Sequence, residues 1–443
     1  MSLKMLKSTQ FEIIELVLVT KGGKIDISNV CEEINIYDTM FLSVMSGSLV
    51  IGDSVGLSSK LLFDGSEAVL IHVKKDKNSE ILDFKRAFRI YKQTNRAVIK
   101  PGLEKYILHF ASDELIYSDQ QRVNQSYEAN YSKIVERILN DYLKVPQNTL
   151  GGVYEFSSGI QKIVIPNLRP LEAIEWCAKR ALDTNQSPNF MFFQNVAGFN
   201  FATLSTLLTQ PSILDISYET KNISGETAFD EISGARYLEV VSLNDNIERT
   251  RSGVNAGKFI GFDPITRTIS TKNISYGDHY LNMKHGNKTP NFTQIQSRDG
   301  TLNSEAFNSR KAISIFNYNR QFSEYIKKKE PSSLTQRDGI ESWLFQRKAI
   351  IKNLMSKRLK LVMPGNFQLS SGFNVNVNAP IIGSPIGEDK SINGKYLIVA
   401  SRQIIGYEKH ETIIEVASSS SESGYVSASD AEQQREILTY WYD

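Results

Sequence analysis

Residues 32–73 read EEINIYDTMFLSVMSGSLVIGDSVGLSSKLLFDGSEAVLIHV, and this stretch decides the fold class. Short apolar runs are separated by Gly, Asp and Ser, which is typical of antiparallel strands joined by tight turns. Gly47 and Gly52 are predicted to bracket a short central strand, and Gly65 to make the next turn. The same pattern continues on both sides. Residues 1–115 are therefore predicted to form a first β-barrel domain.

A helical period replaces the strand pattern after residue 115. The apolar residues of 131–143 recur at spacings of three and one, which places them on one helical stripe. Pro170 is predicted to open a second helix, because proline at the first helical position loses no hydrogen bond. Phe190 to Phe201 then resembles an aromatic hairpin. Residues 116–210 are predicted to form an α+β insert domain.

Strand patterns return in the second half of the chain. Residues 211–254 are predicted to begin a second β-barrel, 255–335 to form an insert of strands and long loops, and 336–417 to supply a helix and the rest of that barrel. The helix is predicted to begin at Asp338, three residues before Glu341 as in a capping box, and to end at Pro364-Gly365. Residues 418–443 form a C-terminal tail. The predicted fold is α+β, mainly β, with two similar antiparallel β-barrel domains and an inserted α+β region.

The composition is typical of a globular, multidomain protein. The chain has 443 residues, 41% of them hydrophobic and 23% charged, with a net charge of +2. This charge gives no general reason to expect a nucleic acid or a membrane surface as partner. Two cysteines make no disulfide framework. Apolar runs are too short for a signal peptide or a membrane span, so we expect assembly in a cytoplasm and no membrane span.

The chain lacks the motifs that carry common enzyme chemistry. No pair of histidines has the spacing of a zinc-binding helix, and we interpret His279 and His285 as loop residues. Glu32 and Glu33 are neighbours on a strand and point to opposite faces, which makes a poor acid–base pair. We therefore predict no catalytic, cofactor-binding or metal-binding residues and no enzyme activity. A lytic enzyme stays an alternative, because glycosidase carboxylates have no fixed spacing in sequence.

Three segments carry a family resemblance. Residues 32–73, residues 365–377 (GNFQLSSGFNVNV) and residues 394–400 (GKYLIVA) resemble parts of the central baseplate hub proteins of T-even-type contractile phage tails. Those hubs are related to the spike-hub proteins of contractile injection systems. The order of the segments is similar too: a barrel, a helical insert, and an interrupted second barrel.

The resemblance implies a mechanical role in the tail baseplate of a virion, assembled in the host cytoplasm. Such hubs are homotrimers in which two barrels per subunit make a ring of six. The ring would adapt a sixfold tail tube, or tube-initiator proteins, above to a threefold central spike protein below. The tape measure protein and then DNA would pass through its axial channel without sequence-specific contact, and baseplate wedge proteins would surround it. The resemblance implies no cofactor. A β-rich adhesin that binds cell surfaces is the alternative from a different class.

Two segments are candidate interfaces. The C-terminal tail ends in apolar and aromatic residues with no local core, which predicts docking on a partner or on a neighbouring subunit. Its candidate residues are Leu438, Tyr440, Trp441 and Tyr442. The basic run Lys327, Lys328 and Lys329 is predicted either to line a channel or to meet an acidic partner. A solvated loop is the plainer interpretation of that run.

Overall fold

The computed structural model confirms a mainly β, α+β fold. It describes residues 11–60, 64–74, 83–145, 151–218, 233–243, 245–254, 256–263, 267–275, 283–290, 310–315, 340–380, 389, 391–407 and 409–422. Within these ranges strands greatly outnumber helices, and most of them join one large sheet.

Seven strands form what we call the first β-unit. They are β1 (Glu12–Thr20), β2 (Gly23–Asp26), β3 (Cys31–Thr39), β4 (Ser46–Asp53), β5 (Ala68–Lys74), β6 (Asp83–Lys100) and β7 (Leu103–Ala111). A single helical turn, α1 (Leu57–Lys60), follows β4. Alternating apolar residues of these strands point to one side and form a buried cluster that includes Leu49, Phe88 and Phe110.

The next segment, which we call the insert, mixes helices with short strands. Its elements are α2 (Asp113–Asp119), β8 (Ser126–Ala129), α3 (Tyr131–Asp141), β9 (Gly151–Tyr154), β10 (Gln161–Val164), α4 (Pro170–Arg180), β11 (Phe190–Asn195), β12 (Gly198–Thr203) and α5 (Leu204–Thr209). The predicted start of α4 at Pro170 and the aromatic hairpin are confirmed. The apolar stripe of α3 lies in the core of the insert, as its spacing predicts.

The remaining described elements form a second β-unit, a small three-stranded sheet, a two-stranded pair of β17 with β23, and two helices. They are β13 (Ser212–Ser217), β14 (Tyr237–Leu243), α6 (Asn246–Arg251), β15 (Ala256–Asp263), β16 (Thr268–Ser275), β17 (Thr289–Pro290), β18 (Lys311–Ile315), α7 (Ile340–Leu354), β19 (Lys357–Pro364), β20 (Asn374–Asn378), β21 (Gly394–Gly406), β22 (Lys409–Ser418) and β23 (Ser420–Ser421). The second β-unit consists of β13, β14 and β19–β22. The small sheet has the order β16-β15-β18.

Three local predictions were wrong. Helix α7 ends at Leu354, not at Pro364-Gly365, because the sequence KRLKLVMP alternates apolar and polar residues and forms β19. Gly47 and Gly52 lie inside β4 instead of bracketing a strand. Residues 271–305, whose Asn, Gly and Thr content predicts long loops, begin inside β16, which pairs with β15 along its whole length. The predicted cap Asp338 lies outside the described residues.

The two β-units share a sheet. Its main path runs β14-β19-β22-β21-β3-β4-β7-β6-β5-β1-β2, and β13 and β20 pair beside β21. In the described ranges this path does not return on itself, so the two predicted barrels appear as one open, continuous sheet. Each unit keeps its own apolar cluster on one face of that sheet, and the insert packs against both units through a third cluster around Met191 and Phe193.

Candidate assembly surface

The joint between the two β-units is a pair of antiparallel strands. β3 pairs with the second half of β21 from Glu33↔Gly406 to Thr39↔Ala400. The first half of β21 belongs to the second unit, where it pairs with β20. One 13-residue strand therefore crosses from one unit into the other. Backbone hydrogen bonds along this shared strand therefore hold the two units in position relative to each other.

A buried carboxylate reinforces the joint. Asp38 on β3 is only 4% exposed, and it accepts hydrogen bonds from Ser370 Oγ (2.7 Å) and from the Ser371 backbone N–H (2.7 Å). Burial raises the pKa of Asp38 to about 6, although the two serine donors and the nearby Arg86 favour the charged form. The same burial lowers the pKa of the Arg86 guanidinium. Asp38 thus ties the first unit to the loop that precedes β20.

Eight consecutive strands of the path alternate in direction. From β14 through β19, β22, β21, β3, β4 and β7 to β6, every neighbouring pair is antiparallel. Because the number is even, the first and last strands run in opposite directions. We call this set the eight-stranded sheet. Four of its strands come from each β-unit.

One edge of the eight-stranded sheet is the distal half of β6. β5 pairs with β6 only as far as Arg89, whereas β7 continues to pair with β6 up to Lys100. Within the described residues, the segment 91–100 therefore has strand hydrogen bonds on one side only. Val98 near its end is 69% exposed, and Tyr91 at its start is half-exposed. Unpaired edge strands of this kind are templates for pairing with another chain.

The other edge is β14. Among the described strands β14 pairs only with β19, and most of its side chains are exposed on both faces. They include Tyr237, Val240, Val241 and Leu243. A short strand with apolar side chains on both faces has too little core of its own to explain this composition. The following helix α6 adds Ile247, which is 66% exposed.

One face of the eight-stranded sheet carries no apolar cluster over most of its width. Paired residues in a ladder share a face, and the row Asn35, Ser48, His109 and Lys92 runs from β3 to β6 on this side. We call it the free face. The opposite face is covered by the apolar clusters of the two units.

Cross-strand ion pairs cover the free face on the second unit. Arg358 Nη1 lies 3.1 Å from Glu415 Oε1, and Lys360 Nζ lies 3.9 Å from Glu239 Oε2. Glu411 accepts from two cations, Arg236 at 3.0 Å and Lys409 at 2.8 Å. The Arg402 guanidinium at the joint donates twice to Asn35 Oδ1 and lies 4.0 Å from Glu33. On the second unit and at the joint, the charged side chains of the free face are therefore largely neutralised by neighbouring side chains of opposite charge.

The turns of two hairpins lie at the same end of the sheet. The register from Lys100↔Leu103 through Asp53↔Glu104 to Gly406↔Glu33 places the β6–β7 and β21–β22 turns at one end of the sheet, with β3 and β4 between them. Exposed apolar residues lie at both turns: Ile99 at the end of β6, and Tyr407, which is 89% exposed, in the β21–β22 turn. We call this end the hairpin end.

The candidate interface residues predicted from sequence lie outside the described residues. These are Lys327, Lys328, Lys329, Leu438, Tyr440, Trp441 and Tyr442. The interpretation of His285 as a loop residue agrees with its position outside the strands, and His279 is not described. Sequence reasoning missed the edges β6 and β14. The available signal was local charge: residues 91–100 contain three basic and no acidic residues, and residues 237–248 contain three acidic and no basic ones.

The described residues contain no group of three His, Cys, Asp or Glu side chains that could hold a metal ion. In the same ranges, no helix is long and apolar enough to cross a membrane.

Comparison with known proteins finds remote structural likenesses. No family model matches the chain. No curated protein matches it either. Among solved structures, a 43 kDa tail protein of prophage MuSo2 from Shewanella oneidensis is 10% identical with a TM-score of 0.49, covering 91% of this chain and 97% of that one. A tail protein from Neisseria meningitidis MC58 is also 10% identical, with a TM-score of 0.48, and the coverage is 91% and 96%. The E. coli c3393 protein, described as a component of the type VI secretion system, is 9% identical with a TM-score of 0.38, covering 94% of this chain and 79% of that one.

Proposed function

We propose that this chain is a structural hub subunit of a contractile phage tail baseplate. Three copies would form a ring that adapts a sixfold tail tube to a threefold central spike. An axial channel would let the tape measure protein and DNA pass. The observation that carries the proposal is the eight-stranded sheet, which is built equally from two β-units. Among the described residues it has one unpaired edge along the distal half of β6 and another along β14. The motif resemblance described above supplies the name of the role.

The geometry favours closure into a ring. A sheet with two open edges that run in opposite directions can join end to end with further copies in the antiparallel sense, and a closed barrel removes every edge. Three copies with two units each would present six similar units. The apolar clusters occupy one face of the sheet, so the free face with its ion pairs would line the channel.

The partners follow from this arrangement as proposals. Tail tube or tube-initiator proteins and the central spike protein would dock at opposite ends of the ring, and wedge proteins around it. The hairpin end, with Ile99 and Tyr407 exposed, is a suitable contact for one axial partner, because exposed apolar side chains on hairpin turns have no use within the monomer. The protein would reside in the virion tail and carry no enzyme activity.

Native mass measurement tests the ring directly. We expect the purified full chain to form a species of three times the 50.0 kDa chain mass at rising concentration, because both edges can then be paired. Mass photometry and native mass spectrometry are the readouts. A chain that stays monomeric at every concentration and salt condition contradicts the proposal, and so does a closed dimer.

Neutralised charge on the free face predicts weak DNA binding. We expect the double variant Glu411→Gln/Glu415→Gln to bind a short DNA duplex about tenfold more tightly than wild type. The slope of log affinity against log salt concentration should steepen by the equivalent of about one to two phosphate contacts. The reason is that Arg236, Lys409 and Arg358 lose their carboxylate partners. Fluorescence anisotropy against salt concentration is the measurement.

The control for DNA binding removes the same charge elsewhere. Glu128→Gln/Asp141→Asn changes two exposed acids of the insert and leaves the free face untouched. Equal tightening in this control would mean that net charge, and not the free face, governs binding.

A further inference from the structure

We infer that the distal half of β6 in one copy pairs antiparallel with β14 of the next copy, and that Ile247 of that next copy fills a cleft beside Tyr91. This inference rests on the proposed ring and names the surfaces that close it. The contact is heterologous, because one patch meets a different patch. Repetition around a threefold axis then leaves neither of these two edges unpaired.

Strand direction and length agree with this joint. β6 runs towards the hairpin end and reaches it at Lys100, whereas β14 starts near that end, since Tyr237 pairs with Val362. The two strands therefore meet in the antiparallel sense. The unpaired segment of β6 has ten residues and β14 has seven, so all of β14 can be accommodated. Neither segment contains a proline that would interrupt the ladder.

Charge is complementary across the proposed joint. The β6 segment carries Lys92, Arg96 and Lys100, with no acid between residues 91 and 100. The β14–α6 segment carries Glu239, Asp245 and Glu248, and its two bases, Arg249 and Arg251, follow them in the last turn of α6. Lys92 pairs with His109 and Glu239 with Lys360, which places both charges on the free face. Opposite charges would thus share one face of the joined sheet, and the same polarity discourages β6–β6 or β14–β14 pairing.

A cleft lies where α6 of the next copy would arrive. Because β14 runs away from the hairpin end, α6 follows it towards the end of the β6 segment that starts at Tyr91. A cleft of about 390 Å³ opens there between the first β-unit and the insert. Its lining combines apolar residues, among them Leu42, Tyr91, Leu115 and Leu171, with the charged residues Asp119, Arg169, Glu172 and Glu175. Ile247 is 66% exposed in the monomer. An exposed isoleucine beside one edge strand and a cleft with apolar side chains beside the opposite edge are complementary features.

Charge reversal tests which edges join. We expect Glu239→Lys/Glu248→Lys to raise the concentration needed for half-maximal trimer by at least about tenfold, and Lys92→Glu/Lys100→Glu to do the same, because each places like charges across the joint. Combining all four substitutions in one chain restores opposite charges and is expected to restore the trimer. Mass photometry gives the populations, and thermal unfolding of the monomer checks that each variant is folded.

A mixture of the two double variants adds a test of ring closure. Unlike copies can join to each other through both edges, whereas like copies repel. A ring of three must place two like copies side by side, so the mixture is expected to give mixed dimers and open chains but few closed trimers. With an isologous interface, assembly of the mixture would not depend on whether the number of copies in the ring is odd or even. Efficient formation of closed trimers in the mixture would overturn the inference.

The cleft is tested by Ile247→Asp, for which we expect a loss of trimer similar to that of the charge variants. The matched control is Ile269→Asp, which is 72% exposed on the small β16-β15-β18 sheet and lies outside the joint. A wild-type trimer that is insensitive to the charge variants and to Ile247→Asp overturns this inference and leaves the proposed hub intact. A strictly monomeric wild type overturns both.

Discussion

Replacing Gly47 with alanine is expected to destabilise the first β-unit by about 3 kcal/mol or more, enough to leave much of the chain unfolded or aggregated. A Cβ atom at this position would stand 2.2 Å from the Asn35 carbonyl oxygen and 2.2 Å from Cζ of Phe110. The oxygen belongs to the neighbouring strand β3, and the ring belongs to the packed core. Neither atom can move away without breaking the strand ladder or opening a cavity, so the added methyl group cannot be accommodated without a large free-energy cost.

Urea unfolding followed by tryptophan fluorescence measures the effect, and expression at low temperature supplies soluble protein for the comparison. Gly22→Ala is the control, because the nearest atom to its added Cβ, Thr20 Oγ1, lies at an ordinary 3.7 Å. We expect that variant to unfold within about 1 kcal/mol of wild type. A Gly47→Ala protein as stable as the control would contradict the packing seen around β4.

Gly47 also shows where sequence reasoning stops. A glycine between two serines predicts a turn or a strand end, and that interpretation was wrong here because the Phe110 ring occupies the space of the missing side chain. The ring comes from a strand more than sixty residues away. Local patterns contain no information about such a contact, whereas the alternation of Leu49 and Ile51 was sufficient to predict the strand itself.

Helix starts were easier to predict than helix ends. Pro170 indicates a first helical turn through its own covalent geometry, and the structure places it there. The end of α7 was predicted ten residues too late, because apolar residues at Ile351, Leu354 and Met355 continue smoothly into the alternating residues of β19. Helical and strand periods overlap over such a short run, and only pairing with β22 distinguishes them.

The assembly surface depends on tertiary relations. The sequence YLEVVSL predicts a strand, but its position at the edge of the sheet depends on which strands pair with it. The ion pairs of the free face require the register of β19 against β22 and β14, which no spacing in the sequence encodes. The opposite charges of residues 91–100 and 237–248 were visible in the sequence. They indicate complementary surfaces only once the structure places both segments at edges of the sheet.

Replacing Asp38 with asparagine is expected to remove a pH dependence from the stability of the joint. The pKa of Asp38 is raised from 3.8 to about 6 in the folded chain, chiefly by burial. A carboxyl whose folded pKa is raised contributes stability that is fully present below pH 4 and is lost as the pH rises through 6. Over that range the loss is about 3 kcal/mol for a shift of this size. Asparagine stays neutral and can still accept a hydrogen bond from Ser370 or Ser371.

The free energy of unfolding of Asp38→Asn minus that of wild type should therefore increase between pH 4 and pH 7, which urea titrations at intermediate pH values would follow. Asp26→Asn is the matched control with the opposite sign. The pKa of Asp26 is lowered by hydrogen bonds from Ser28, so its contribution is present above pH 4 and is lost as the pH falls. Because the pKa of Asp26 is lowered from 3.8, the control difference should stay flat between pH 4 and pH 7 and should change only below about pH 4, where the variant loses stability relative to wild type as the pH rises. A difference for Asp38→Asn that stays flat across this range would mean that the carboxylate is ionised at the joint at low pH, held by Arg86 and the two serines more strongly than burial opposes it.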